Sequence, residues 1–459
     1  LGYERSKNSL SAKFNKNTLF VSALFLCLLP FLSILGALSV NFYQNNILLL
    51  VLIPLVALVP ILIAFDRFIP EKLFPLALTL TALALLYHTS LISTYLLGAD
   101  IHQEYYFANL VKINSIWDST ISNEYNAMLS IVMLAPILSN VSGMSLTLVF
   151  KIIYPLLFSL VPLVLYQIFK KQTDSKMAFL AVFFFMSVFT FFTEMISLAR
   201  QQIAEIFLVL LILLTINKSI NSRKRVALLT VFGASLVVSH YALAYIFMFC
   251  LISARFILFF LEKIGPDGFF GVRSGLRKKL HNTYFELNGL SRKNKTITTT
   301  FVAFYCVFMI SWYIYISESA TFNTITRVTS QIARVFFTEF LNPEVAQGLS
   351  MLLAEPASLL HGITKMLHIL MQLFIAVGIF KLVLRRGEEK FNDEYACFSL
   401  VSFVLALAAI AAPYLASSFI TTRLYHVTLL FLAPFGIVGV VFVFNFLSRI
   451  LCFILMKRN

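Results

Sequence analysis

The stretch TLFVSALFLCLLPFLSILGALSV, residues 18–40, decides the fold class. It is followed at once by NILLLVLIPLVALVPILIAF, residues 46–65. Neither run carries a charge, and each is about 20 residues long, the length a helix needs to cross about 30 Å of hydrocarbon. Further apolar runs of this kind recur at 73–98, 145–169, 176–194, 200–217, 225–239, 242–262, 297–316, 364–384, 395–414 and 425–448. Backbone groups in lipid must bond within their own segment, so the runs read as helices. Period-2 alternation over about ten residues, the mark of a membrane β-barrel, is absent. The reading is an all-α polytopic membrane bundle of about twelve spans, taken as a single transmembrane domain over residues 1–459. The segment 127–141 is apolar but short, and is expected to lie at the surface or dip partway.

Composition agrees. Of 459 residues, 59% are hydrophobic and only 12% charged, about half the charge of a soluble domain. The net charge of +15 invites a nucleic-acid reading, but the basic residues gather in the loops of one side. With 127–141 not crossing, that side and its helix ends hold about 28 Lys and Arg and the other side about seven, which the positive-inside rule explains. Both termini are therefore expected in the cytoplasm of a cell-membrane protein. The basic start (Arg5, Lys7, Lys13, Lys16) reads as a signal anchor retained with the first helix. The five cysteines all fall inside apolar runs without metal-site spacing and read as packing residues.

Three loops stand out. Loops 99–144 and 317–363 are expected outside and are long, the second containing the stretch TRVTSQIARVFFTEFL (326–341), whose helical amphipathic periodicity predicts a helix on the membrane surface. Loop 263–296 is cytoplasmic and basic, suited to anionic lipid. Phosphate-binding Gly-rich loops, zinc spacings and internal repeats are absent.

The polar residues that could do chemistry sit at the outer edge of the spans. GADIHQEYYFANLV (98–111) holds Asp100, His102 and Glu104. With a helix starting at Ile101, Asp100 is its N-cap. Asp100 and Glu104, four apart, share a face. Paired carboxylates raise one pKa and give a base near neutral pH; with His102 they could equally hold a divalent metal. A helix cap with solvated loop charge is the plain alternative. Glu194 ends the fifth span, and ISLARQQIAEIF (196–207) adds Arg200, Gln201 and Glu205, where an ion pair orienting the bundle is the alternative. SHYALAY (239–245) supplies His240 and Tyr241, and TTRLYHVTLLFLAPFG (421–436) supplies Arg423, Tyr425 and His426. An arginine there can snorkel or grip a phosphate with its planar fork. Lys151, two turns into the fourth span, is a cation that should face protein.

On these segments the chain resembles the GT-C superfamily of polytopic glycosyltransferases. GADIHQEYYFANLV looks like that superfamily's acidic motif, followed by a surface helix, and 421–436 looks like its late Arg-Tyr-then-Pro segment. The chain also resembles archaeal membrane proteins of unknown function that are similar to the superfamily. Their aspartate–x–histidine loop and histidine–tyrosine turn match Asp100–His102 and His240–Tyr241. The sequence departs in spreading the usual adjacent acidic pair over Asp100, His102 and Glu104, and in placing the acidic loop after the third span. The resemblance implies transfer of a sugar from a polyprenyl- or dolichyl-phosphate donor to a glycan or protein acceptor at the outer face. Asp100 would be the base, Glu104 and His102 would tune it or bind metal, and Arg200, Arg423 and Lys151 would hold the lipid phosphate. Glu194, Glu205, His240, Tyr241, Tyr425 and His426 would line the cavity. The rival readings are a transporter or flippase of a lipid-linked or anionic solute, which needs polar groups near the midplane, and a non-catalytic subunit of a membrane assembly.

Overall fold

The computed structural model describes residues 16–264, 295–316, 320–384, 391–415 and 420–456. Among them there is helix and no strand, and the chain is a polytopic helical membrane protein. Among the described residues ten helices are long and apolar enough to cross a membrane, and an eleventh span is counted if one bent helix pair is taken as one. The basic loop expected at 263–296 and the N-terminal basic segment fall almost wholly outside the described residues.

Two compact units form. The first comprises 16–117, 130–170 and 174–206 of the described residues. It contains α1 (Lys16–Tyr43), α2 (Ile47–Ala64), α3 (Phe74–Ser90), α4 (Asp100–Asn114), α5 (Leu134–Ser142), α6 (Leu146–Lys170) and α7 (Ser175–Ser187). It also holds the start of α8 (Ala199–Ile216). Within it, the hydroxyl of Ser33 on α1 donates to Ala84 O on α3 at 2.8 Å, and Tyr87 on α3 donates to Ile152 O on α6 at 3.3 Å. Such hydroxyl-to-carbonyl bonds tie helices together where lipid supplies no hydrophobic drive. At one end Glu71 accepts from Lys170 (3.0 Å) and Ser175 (2.5 Å), and Lys176 pairs with Asp66. Asp174 caps α7 with its carboxylate on the amides of Lys176 and Met177.

The second unit comprises 118–129, 171–173 and the described residues from 207 onward. It contains α9 (Ser222–Val237), α10 (Tyr241–Ile264), α11 (Thr299–Ile316), α12 (Ala320–Val335), α13 (Leu359–Val383), α14 (Asp393–Ala411) and α15 (Thr421–Met456). Helices α13 and α15 press backbone to backbone. A Cβ built on Gly378 would overlap the Phe435 carbonyl, and one on Gly439 would overlap that of Phe374. Small residues at such crossings allow the close approach by which membrane helices associate. Tyr305 and Tyr313 of α11 donate to Ala244 O (3.2 Å) and Val237 O (2.5 Å).

The expected spans differ from the structure at three places, whereas 127–141 stays short of a span as expected. The run 176–194 is not one helix: α7 stops at Ser187, Val188 is extended, and the chain bends by 67° into Phe189–Ser197. The run 225–239 is α9, whose 16 residues reach only about 24 Å at 1.5 Å per residue, short of the bilayer core. Its first turn is charged, and Arg225 is buried there on the carbonyls of Asn217 and Ile220. The run 73–98 stops being helical at Ser90, ten residues before Asp100 rather than directly ahead of it. The segment 127–141 forms two short pieces, Leu129–Val132 and Leu134–Ser142, too short to cross.

Candidate functional site

The acidic motif folds as a helix, α4, which buries Ile101, Glu104, Phe107 and Ala108 and is entered through Gly98. That glycine has φ +108°, where side chains are strained. A Cβ there would overlap the Ser197 side chain, so the motif is pressed against the turn that leads into α8. Lys112, near the other end of α4, donates to Ser139 on α5 at 2.6 Å, and Tyr105 packs on Phe150 of α6 at 6.2 Å.

The two carboxylates share a face, as their spacing predicts, and one residue answers both. Arg200 Nη1 bonds Glu104 Oε1 at 2.5 Å, and Nη2 bonds Asp100 Oδ2 at 3.0 Å. The Arg200 backbone N–H also donates to Glu104 Oε2 at 3.3 Å. The planar guanidinium thus spans two acids one helical turn apart, with a fixed spread of donors that a lysine's compact ammonium lacks. The environments differ sharply. The Glu104 side chain is 0% exposed, whereas that of Asp100 is 25% exposed. Burial pushes the Glu104 carboxyl up to about 7 against the pull of Arg200, and the Asp100 charge adds to the rise.

Two expectations are corrected here. Asp100 is not the N-cap of its helix: Ala99 holds that position, and Asp100 is the first helical residue with its carboxylate on Arg200. It still sits at the positive end of the helix dipole, which favours its charged form. The metal cluster does not form. Among the described residues no three His, Cys, Asp or Glu groups converge as ligands. The guanidinium stands between the two carboxylates where a cation would go, and His102 is exposed. This donor set does not fit a divalent ion.

Other residues of the first unit extend the polar cluster. Lys151 lies in a π-helical turn, Val149–Ile153, is 7% exposed, and donates to the Ser93 carbonyl. That bond takes up a backbone acceptor freed where α3 ends. It therefore faces protein, as expected. Glu205 is fully buried and accepts from Gln201 Nε2 at 2.9 Å; the ion pair weighed between it and Arg200 is replaced by the Arg200 bridge to α4. Glu194 is half-buried in a short turn where Ser197 donates to its carbonyl at 2.7 Å. Tyr154, fully buried, donates to Ser130 O and lies within electrostatic reach of Glu104.

The remaining candidates belong to the second unit. His240 Nδ1 accepts from Leu243 N at 2.9 Å and so caps α10, with its ring stacked on Tyr241 at 5.5 Å and 4°. Arg423, Tyr425 and His426 occupy the first turns of α15, and His426 is fully buried. Sequence reasoning passed over Glu394 of the same unit. Its carboxylate is 4% exposed and accepts from the N–H groups of Thr296 and Ile297, both at 2.7 Å. Next to Asp393, after a charged loop, it carried no signal of burial. Gly98 was passed over as well, although a glycine two residues ahead of an acidic helix start is a signal of a backbone that must turn sharply.

No curated protein matches the chain. Residues 224–459, just over half of it, match the family described as "Predicted membrane protein (DUF2206)". The acidic motif and Arg200 precede the matched segment, which takes in His240 and the start of α15. The chain belongs to the DUF2206 family of predicted membrane proteins.

Proposed function

We propose that this chain is a membrane glycosyltransferase of the GT-C kind, taking a sugar from a polyprenyl- or dolichyl-phosphate donor and passing it to a glycan or protein hydroxyl. The observation that carries the reading is the Asp100–Arg200–Glu104 arrangement, with one carboxylate facing outward and the other sealed behind the arginine. A general base must first reach its proton, and only then does its pKa matter. Glu104 has the more suitable pKa but is enclosed; Asp100 presents a quarter of its side chain. Asp100 is therefore the base. It takes the acceptor hydroxyl proton as that oxygen bonds to the anomeric carbon, and the carbon–phosphate oxygen bond breaks with its electron pair leaving on the phosphate.

Arg200 holds Asp100 in place, and Glu104 neutralises Arg200 from below. A guanidinium so committed has little left for the donor phosphate, the role first expected of it. That role passes in this unit to Lys151, a buried residue whose ammonium lies on a neutral carbonyl and forms no ion pair among the described residues. A cation kept in a water-poor place acts strongly on charge developing on a leaving group.

The test is sugar transfer from a panel of polyprenyl-phosphate sugars, with wild type and Asp100→Asn normalised to folded protein. Asp100→Asn should lower turnover by roughly 10²–10⁴-fold with donor binding little changed. A variant as active as wild type removes Asp100 from this role. Substrate movement across the membrane without sugar transfer would favour the transporter reading.

A further inference from the structure

The surface least explained by a catalytic role is α12. It follows α11, a membrane span, after only the residues 317–319, so it begins within reach of the interface where that span ends. Its faces are distinct. Val328, Ile332 and Val335, at i, i+4 and i+7, are half-buried; Arg327, Gln331 and Arg334, with the same spacing, are exposed. No Asp or Glu occurs from Ala320 to Val335. The first acid beyond it, Glu339, is engaged by Asn342 Nδ2 at 2.5 Å. Neither arginine forms an ion pair among the described residues. Two residues past the helix, Phe337 is 92% exposed.

We infer that α12 lies in the interface plane and that Arg327 and Arg334 bind anionic phospholipid headgroups of the leaflet in which α11 ends. Helices with an apolar stripe and a basic face bury the first at the acyl boundary and leave the second among the headgroups. The two arginines are two turns apart on one face, about 10 Å, so each can meet a different phosphate with its fork. The occupant is lipid rather than protein because a membrane span delivers the helix to that depth. The inference stands apart from the glycosyltransferase reading, which involves neither arginine.

The full-length chain in nanodiscs provides the test. Amide exchange over 326–336 is compared in phosphatidylcholine and in phosphatidylcholine with about 30 mol% phosphatidylglycerol. A basic residue gains about fivefold in affinity for an anionic surface, so the pair should slow exchange by roughly 30-fold. High salt should erase most of the difference. The double variant Arg327→Gln, Arg334→Gln should exchange alike in both discs, whereas Arg327→Lys, Arg334→Lys should keep most of the lipid dependence. Equal unfolding temperatures of the variants would show that they fold. The inference is overturned if wild type exchanges alike in both discs, or if the glutamine variant keeps the difference. It is also overturned if protection follows protein concentration at fixed lipid, which would mean a second copy covers the helix.

Discussion

Glu104 and Glu394 are both buried carboxylates that join segments nearly a hundred residues apart, yet they meet burial in different ways. Glu394 is met by two backbone N–H groups, at Thr296 and Ile297, and the arrangement closes on itself. Glu104 is met by a guanidinium that also holds Asp100, and Asp100 still faces outward. A buried charge must be paired or hydrogen-bonded wherever it occurs. Burial alone therefore does not mark a site. What marks one is chemical capacity left over after the buried group is satisfied, and only the Glu104 arrangement has it.

The strongest way to break this contrast is to remove Arg200. Arg200→Met leaves Glu104 enclosed without its cation, which should cost about 3–5 kcal/mol, read as a large fall in unfolding temperature and folded yield in detergent. Arg200→Lys should recover only part, because a compact ammonium lacks the planar spread of donors that meets both acids. Adding Glu104→Leu to Arg200→Met should recover most of the loss, since an apolar pair of similar volume fits a dry site. Should Arg200→Met prove no worse than a substitution at Glu394, the two carboxylates are alike and the contrast fails.

A smaller and more specific effect is pH dependence. Burial raises the Glu104 pKa in the folded protein to about 7 from the ordinary 4.5. The folded state then holds a proton that the unfolded state has already lost. This contribution is full below about pH 4.5 and declines as pH rises through about 7. The unfolding temperature of wild type, measured relative to Glu104→Gln, should therefore fall across that window and level off above it. A flat difference would mean Glu104 stays ionised throughout on the strength of Arg200.

At Glu394 the expected change is more modest. The Thr296 and Ile297 amides share Oε1, so Glu394→Gln keeps their acceptor and loses only the charge that strengthens both bonds, costing about 1–3 kcal/mol. Sugar transfer per folded molecule should not change. A selective loss of activity would put Glu394 among the functional groups and undo the distinction.

The membrane class was legible because runs such as 18–40 need no partner to be read: length and apolarity suffice. The number of spans was less so. Hydropathy counts composition and does not see Val188 turn the chain or α3 stop at Ser90, where the following Leu and Ile residues continue the apolar run without continuing the helix. In the candidate site, the Asp100–Glu104 face follows from local spacing. Its partner does not: Glu205 is nearer to Arg200 in sequence, but Arg200 reaches α4 instead, and Gln201 answers Glu205. Pairings across a bundle are fixed by packing, and only features that constrain the backbone, such as Gly98, leave a trace in the sequence.

The smallest stability effect is the most informative. Asp100→Asn keeps the side chain's shape and an oxygen that can accept from Arg200 Nη2, so the bridge geometry survives. The lost charge is a quarter exposed, so its removal should cost less than breaking the enclosed Arg200–Glu104 pair. Unfolding temperature should move little, while sugar transfer falls by orders of magnitude. Arg200→Met should lose both together, because it removes the frame as well as the base's support. If Asp100→Asn costs as much stability as Arg200→Met, then Asp100 is as structural as Glu394. A stable but inactive Asp100→Asn leaves the outward carboxylate with a function that folding does not require.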